Sequence, residues 1–171
     1  MYGFHKFPVM NFIKLFIISV VALFLILTAF STLLPSKVRI SRAIDIRDTP
    51  PNIIGKIKNM KEWELWNEYT KLLSVKEVTA DSIHSALLSV SIISSDTASV
   101  NTNWHQQNKT AFPGIFNLVG GKSQTTVQWY FEFSIRWYPW EKFGSIIYDK
   151  ELGPQMQKSL QNLKELLEKA P

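Results

Sequence analysis

The sequence of 171 residues contains no cysteine, which excludes disulfides, thiolate metal sites and cysteine nucleophiles. Acidic residues are missing from residues 1–36, where Lys6 and Lys14 are the only lysines. Residues 37–171 carry 17 Lys and Arg against 14 Asp and Glu, a net charge of +3. This balanced charge lacks the basic stripe typical of nucleic-acid-binding proteins, so the sequence predicts no nucleic-acid partner.

Motifs of the common enzyme classes are also missing from the sequence. It has no serine nucleophile elbow, no phosphate-binding glycine loop and no helix with paired metal ligands. His84 and His105 fall on neighbouring predicted strands, but two histidines without a carboxylate or third ligand make a poor metal or acid–base site. We therefore expect no metal and no cofactor. The sequence favours a protein without catalytic activity, and an enzyme stays an open alternative.

One long run without charge lies near the N-terminus. The run Leu15 to Leu34 matches the ~20 residues with which a helix crosses the hydrocarbon core of a bilayer. Lys14 precedes the run and Pro35 follows it, which supplies a charged anchor and a helix stop. The sequence therefore predicts a flank over residues 1–14 and a transmembrane helix over residues 15–34.

Two other interpretations of this run stay open. Ala29 and Ser31 provide a weak cleavage site for a secretory signal, although the apolar run is longer than that of a usual signal. A buried helix of a soluble protein is the third interpretation. Positive charges on both flanks do not choose a side. If the first flank dominates, the protein is a single-pass protein of the bacterial inner membrane with its body outside the cytoplasm.

The rest of the chain, residues 37–169, is predicted to form one globular domain, since its length suits a single core. Alternating apolar and polar residues predict a first strand at 38–46, a hairpin within 84–104 and a long strand from Thr125 to Trp137. Residues 115–119 fit either a short strand or a covering loop.

Helical spacing appears in three places of the same domain. It predicts a short helix after Pro51, a second short helix that carries Trp63 and Trp66, and a long amphipathic helix at the end of the chain. Gly153-Pro154 is expected to kink or restart this last helix. The order of strands and helices predicts an α+β fold in which the helices cover one face of an antiparallel sheet.

Three stretches of sequence resemble one known family. They are LLPSKVRISRAIDIRDTPPNIIGKI, EWELWNEY and WYPWEKFGSIIYDKELGPQMQKSLQNLKELLEK. Together they resemble the bacterial START-like superfamily, also called SRPBCC or polyketide cyclase/dehydrase and lipid transport. The resemblance implies a helix-grip fold, in which a curved antiparallel sheet wraps around a long C-terminal helix and encloses a hydrophobic cavity. In some members a membrane-spanning helix precedes this domain in the chain. Residues 71–105 depart from the family pattern, because they contain no glycine where relatives carry glycine-rich hairpins.

The residues expected to line such a cavity come from the aromatic strand, the tryptophan pair, the middle strands and the last helix. The aromatic and aliphatic members fit an ordinary core as well as a cavity wall. The candidates are Arg42, Trp66, His84, Trp104, Trp129, Phe131, Phe133, Ile135, Trp137, Met156, Leu160 and Leu163.

Arg42 is the most informative polar candidate, because it falls among the apolar positions of the first strand. A guanidinium keeps its charge and needs a carboxylate, a carbonyl or water as partner. Arg42 either binds the acidic head group of an apolar ligand or is turned to solvent by a bulge or the strand end.

These observations support three hypotheses. The first is a membrane-anchored domain that binds a small hydrophobic or lipid-like ligand between the sheet and the last helix. The second is a polyketide cyclase or aromatase-like enzyme, which only the resemblance implies. The third is a structural or interaction module of the envelope with a filled core and no ligand. The expected partners are the membrane and the hydrophobic ligand.

Overall fold

The computed structural model of the protein describes residues 9–71, 75–107, 110–121 and 123–169, so the predicted flank 1–14 lies partly outside the described residues. The chain forms two compact units. The N-terminal unit comprises Met1–Ser36 with Ile135–Ser145, and the sheet unit comprises Lys37–Ser134 with Ile146–Pro171.

The described part of the N-terminal unit, residues 9–36 and 135–145, contains two α-helices. Helix α1 extends over Val9–Leu33, and its stretch Phe12–Leu33 is 22 residues long and apolar enough to cross a membrane. The large apolar side chains of this stretch are exposed along its length. The short helix that follows the sheet, α5, occupies Pro139–Gly144 and contacts α1.

A single antiparallel sheet with seven strands dominates the sheet unit. In sequence order the strands are β1 (Lys37–Ile46), β2 (Val75–Val78), β3 (Ser82–Ser85), β4 (Leu88–Ser95), β5 (Ser99–Gln106), β6 (Phe112–Gly120) and β7 (Thr125–Ser134). Their order across the sheet is β1-β7-β6-β5-β4-β3-β2. The first strand therefore pairs with the last, which places Ile40 opposite Phe131.

The helices of the sheet unit follow β1 and end the chain. Helix α2 extends over Pro50–Lys58 and is followed, after a 3-10 turn, by α3 (Trp63–Trp66) and α4 (Glu68–Lys71). The long helix α6 extends over Tyr148–Glu168 and packs against β1. It continues through Pro154, so the new start that the sequence allowed there does not occur.

The sheet curves around α6, and the core lies between them. Met156, Leu160 and Leu163 of α6 are fully buried. From the sheet, Ile40 and Ile46 of β1 and Val127, Trp129 and Phe131 of β7 are buried with them. The prediction of an α+β helix-grip architecture is confirmed.

The aromatic strand β7 ends at Ser134, three residues before the predicted end at Trp137. Its neighbour β1 begins at Lys37, which pairs with Ser134, and the Ile135 N–H makes one further backbone bond, of 2.8 Å, to the Ser36 carbonyl. Pro139 follows shortly and has no N–H with which to continue a ladder. The alternation of apolar and polar residues therefore continues in the sequence beyond the end of β7.

The first strand of the predicted hairpin, at 84–92, is divided between two strands, β3 and β4. A turn at Ala86-Leu87 separates β3 from β4, and the Ser85 hydroxyl oxygen accepts the N–H of Leu88 at 3.0 Å. Ile83 pairs with Val90 and both are buried, so His84 faces the opposite side and is exposed. His84 therefore does not share the inward face that its sequence parity predicted.

Candidate functional site

Most of the predicted lining residues of the sheet unit lie together in one core. They face the space between the sheet and α6, and all except Phe133 are fully buried. This group consists of Trp66, Trp104, Trp129, Phe131, Phe133, Met156, Leu160 and Leu163.

Tyr69, a residue that the sequence patterns did not single out, occupies the centre of this core. Its ring lies 5.4 Å from Trp104, 5.9 Å from Trp129 and 6.1 Å from Phe131, measured between centroids. Its hydroxyl donates a hydrogen bond of 3.0 Å to the carbonyl of Leu152 in α6. Burial raises the pKa of the Tyr69 phenol, so the hydroxyl stays protonated and keeps this bond.

Gly114 allows the rings to approach β6 closely. A Cβ atom at this position would lie 2.6 Å from Trp104 Nε1 and 2.8 Å from both Phe131 Cε1 and Thr102 Oγ1. The absence of a side chain on β6 therefore leaves room for the aromatic face of the neighbouring strands. The Trp104 and Phe131 rings contact each other there, with centroids 5.0 Å apart.

Two of the buried tryptophans are hydrogen bonded. Trp63 Nε1 donates to the carbonyl of Ile57 at 2.6 Å. Trp104 Nε1 donates to Thr102 Oγ1 at 2.9 Å. These bonds satisfy the polar edge of each indole, as expected for a buried tryptophan.

Three other buried N–H donors have no acceptor among the residues that the structure describes. They are Trp66 Nε1, Asn67 Nδ2 and Trp129 Nε1. Both indoles contact Phe116, at 6.1 Å from Trp66 and 4.8 Å from Trp129 between centroids. A buried donor without an acceptor costs about 1–3 kcal/mol. These three N–H groups are buried polar atoms that the described residues leave without an acceptor.

Arg42 points from β1 towards α6 and forms an ion pair there. Its Nη2 atom lies 2.9 Å from Asp149 Oδ1, and its Nη1 atom donates to the carbonyl of Ser41 at 2.8 Å. The pairing of β1 with β7 is regular around Arg42, so no bulge turns it away. Gly153 on α6 makes room for the guanidinium, because a Cβ there would collide with it. The side chain is 27% exposed, so its charge is reachable from solvent.

A second polar group joins α4 to α6. The Glu68 carboxylate accepts a hydrogen bond of 2.6 Å from Asn162 and forms ion pairs with Lys158 at 2.8 Å and Lys71 at 3.2 Å. The bond to Lys158 first, then those to Lys71 and Asn162, lower the pKa of Glu68 to about 2. These contacts hold the α3–α4 segment against α6 and so cover one side of the core.

The remaining predicted lining residues lie elsewhere. His84 is exposed on β3, where its Nδ1 atom lies 3.3 Å from Ser89 Oγ. Ile135 and Trp137 belong to the N-terminal unit, because the chain leaves the sheet after Ser134. Ile135 is buried there, whereas Trp137 is 63% exposed.

A surface groove of about 440 Å³ lies beside the core, open to solvent, between the α3–α4 segment and the end of α6. Leu65, Lys71, Asn162, Glu165, Leu166 and Lys169 line it, and none of the predicted residues does. In residues 9–71, 75–107, 110–121 and 123–169, no three His, Asp or Glu side chains come together to ligate a metal.

Comparison with known proteins finds similarity to solved structures and none by sequence. No family model and no curated protein matches the sequence. A START superfamily protein from Mycobacterium smegmatis is similar with a TM-score of 0.55 at 12% identity, over 77% of this chain and 97% of that protein. The sheet unit has a START-like helix-grip fold. The resemblance inferred from the sequence is thereby confirmed at the level of the fold.

Two further solved structures share the START-like fold. Truncated norcoclaurine synthase from Thalictrum flavum matches with a TM-score of 0.56 at 9% identity, over 79% of this chain and 96% of that one. DynU16, from the dynemicin biosynthetic locus, matches with a TM-score of 0.55 at 10% identity, over 76% of this chain. The match spans 47% of DynU16, about half of its length. At these identities the likeness establishes the START-like fold and no activity.

Proposed function

We propose that the protein is a membrane-anchored binding domain for a small hydrophobic or lipid-like ligand, held between the sheet and α6. The predicted division assigns residues 15–34 to a transmembrane helix and residues 37–169 to the START-like domain. Helix α1 supports the anchor by its length and its exposed apolar surface. The proposed location is the bacterial inner membrane, with the domain outside the cytoplasm.

The unpaired donors of Trp66, Asn67 and Trp129 carry the binding proposal. Burying apolar surface of a ligand against the aromatic core contributes about 25 cal/mol per Å². An ether, carbonyl or carboxylate oxygen of the same ligand would accept from the unpaired N–H groups and remove their desolvation penalty. The proposed ligand class is therefore an amphiphile with at least one acceptor oxygen.

Binding requires the packed rings to separate. The α3–α4 segment with Tyr69 is the element proposed to move. Its movement would break the polar bonds that Glu68 and the Tyr69 hydroxyl make with α6. A conformational step of this kind slows association below the usual range for preformed sites.

Arg42 is proposed to orient an anionic head group at the edge of this space. A ligand carboxylate would compete with Asp149, which is 59% exposed and gives up its ion pair at little cost. No acid–base pair is proposed, since His84 and His105 are exposed on strands β3 and β5.

The donors can be tested with radiolabelled palmitate and the full chain in mild detergent. We expect saturable binding to the wild type and an affinity about tenfold lower for each of Trp66→Phe and Trp129→Phe, the loss of one hydrogen bond. Trp63→Phe is the matched control, because its N–H already donates to Ile57. Equal affinities for all three variants would contradict the proposed role of the unpaired donors.

An envelope module without a ligand is the second candidate. The continuous ring contacts favour it, since they describe a core that is already filled, from Tyr69 and Trp104 to Phe131 and Phe133. Absence of saturable palmitate binding to the wild type would support this candidate instead.

A further inference from the structure

The N-terminal unit exposes a row of aromatic rings. Trp137 is 63% exposed and Trp140 is 62% exposed. Tyr138 lies between them: its ring is 4.7 Å from that of Trp137 and stacks on that of Trp140 at 4.9 Å with an interplanar angle of 9°. Contiguous exposed aromatic surface of this kind marks an interaction site.

Hydrogen bonds attach this row to the C-terminal end of α1. The Ile135 N–H donates to the Ser36 carbonyl at 2.8 Å. Lys142 is buried, and its Nζ atom donates to the Leu34 carbonyl at 2.7 Å and to Ser36 Oγ at 3.0 Å. Since Lys142 is a cation at the end of α1, it also complements the negative end of the helix dipole. The aromatic segment and the end of α1 are therefore held together within one compact unit.

The position of this attachment determines where the rings would lie in a membrane. The apolar stretch of α1 ends at Leu33, and the bonds reach Leu34 and Ser36 immediately beyond it. The end of the apolar stretch of a spanning helix lies at the boundary of the hydrocarbon core. Tryptophan and tyrosine are enriched at this boundary, where an apolar ring and a polar N–H or O–H are both satisfied.

We propose that Trp137, Tyr138 and Trp140 form an aromatic platform that inserts into the headgroup region of the bilayer beside the end of α1. The occupant of this surface is phospholipid, and the platform sets the depth of the helix end. The proposal rests on the membrane anchoring assigned to α1 above. It is independent of any ligand inside the START-like fold.

Fluorescence quenching by brominated lipid tests the platform in the full chain. The protein is placed in phosphatidylcholine vesicles that carry bromine either near the carbonyl end or near the methyl end of the acyl chains. Four of the six tryptophans are fully buried in the sheet unit, so Trp137 and Trp140 should give the quenched emission. We expect shallow bromine to quench at least about twice as much of this emission as deep bromine does. The double variant Trp137→Phe/Trp140→Phe should lose the shallow quenching.

A tryptophan probe in the middle of α1 separates failure of the platform from failure of the anchor. The substitution Phe24→Trp is introduced into the Trp137→Phe/Trp140→Phe background, and deep bromine should quench the introduced indole. Quenching of this probe without shallow quenching of the wild type would overturn the platform and leave the anchor standing. If neither the deep quenching of the probe nor the shallow quenching of the wild type is seen, both the anchor and the platform are overturned. If shallow bromine does not quench and two chains can be cross-linked at their Trp137 surfaces, a second copy of the protein covers the rings. This result would also overturn the proposal.

Discussion

The guanidinium of Arg42 on β1 lies 2.9 Å from the carboxylate of Asp149 on α6, which joins the first strand to the last helix at the edge of the core. An anionic ligand that binds to Arg42 would compete with Asp149 for this charge. The pair thus gives the proposed binding site a competitor that belongs to the protein itself.

Asp149→Asn is expected to increase the affinity for palmitate about threefold to tenfold, because Arg42 loses its internal partner. Arg42→Gln is expected to lower the affinity by a similar factor. Both are measured by equilibrium binding of labelled palmitate to the full chain in detergent. A lower affinity for palmitate in Asp149→Asn than in Arg42→Gln would show that Arg42 serves only the ion pair.

Gly153→Ala tests the space beside Arg42. Alanine in a helix interior normally stabilises by about 0.5–1 kcal/mol relative to glycine. At Gly153 the new Cβ would collide with the Arg42 guanidinium, which has to leave Asp149. We expect no gain in the free energy of unfolding, measured with urea in mild detergent. Gly55→Ala in α2 is the matched control with open space around it, and should show the gain. Equal gains in the free energy of unfolding for the two variants would mean that the Arg42 guanidinium moves aside without a loss of stability.

Glu68 makes stability depend on pH in the acidic range. Its pKa falls from 4.5 to about 2 on folding, mainly through Lys158. A lowered pKa stabilises the folded state fully above about pH 4.5, and this contribution is lost as the pH falls towards 2. Glu68→Gln should therefore lower the free energy of unfolding by about 1–2 kcal/mol at pH 7. It should also make the fall of this free energy between pH 4.5 and 2 less steep, as measured by urea unfolding. Glu151→Gln, an exposed change on α6, should keep the wild-type profile.

The hydrogen bonding of the buried indoles predicts unequal effects of two equivalent substitutions. Trp104→Phe removes a bond to Thr102, whereas Trp129→Phe removes an N–H without an acceptor. We expect Trp104→Phe to cost about 1 kcal/mol more in the free energy of unfolding of the ligand-free protein. A larger cost for Trp129→Phe would indicate that its N–H is already satisfied in solution.

The regular parts of the fold could be predicted from local patterns. Strict alternation identified the interior of β1 and β7, because each has one buried face. The spacing of Met156, Leu160 and Leu163 identified α6 in the same way. The boundaries depend on neighbouring strands, which is why the alternation through Trp137 did not show that β7 ends where β1 begins.

The site was less accessible from the sequence. Trp66, Trp104, Trp129 and Phe131 are in the core as their patterns indicated, but Tyr69 lies at its centre without any periodic signal. Short elements such as α4 bury residues that only the tertiary structure selects.

Partners distant in the chain were equally hidden. The apolar parity of Arg42 showed that it needs a partner, but not that Asp149 provides it. That pairing follows from the packing of α6 on β1, which no local pattern encodes.

Native mass spectrometry of the full chain, extracted in detergent and released from its micelle, tests the central proposal most directly. The binding proposal predicts a population whose mass exceeds that of the bare chain by one small apolar molecule, or that gains one palmitate after incubation. Only the bare mass, both as extracted and after incubation with palmitate, would contradict it.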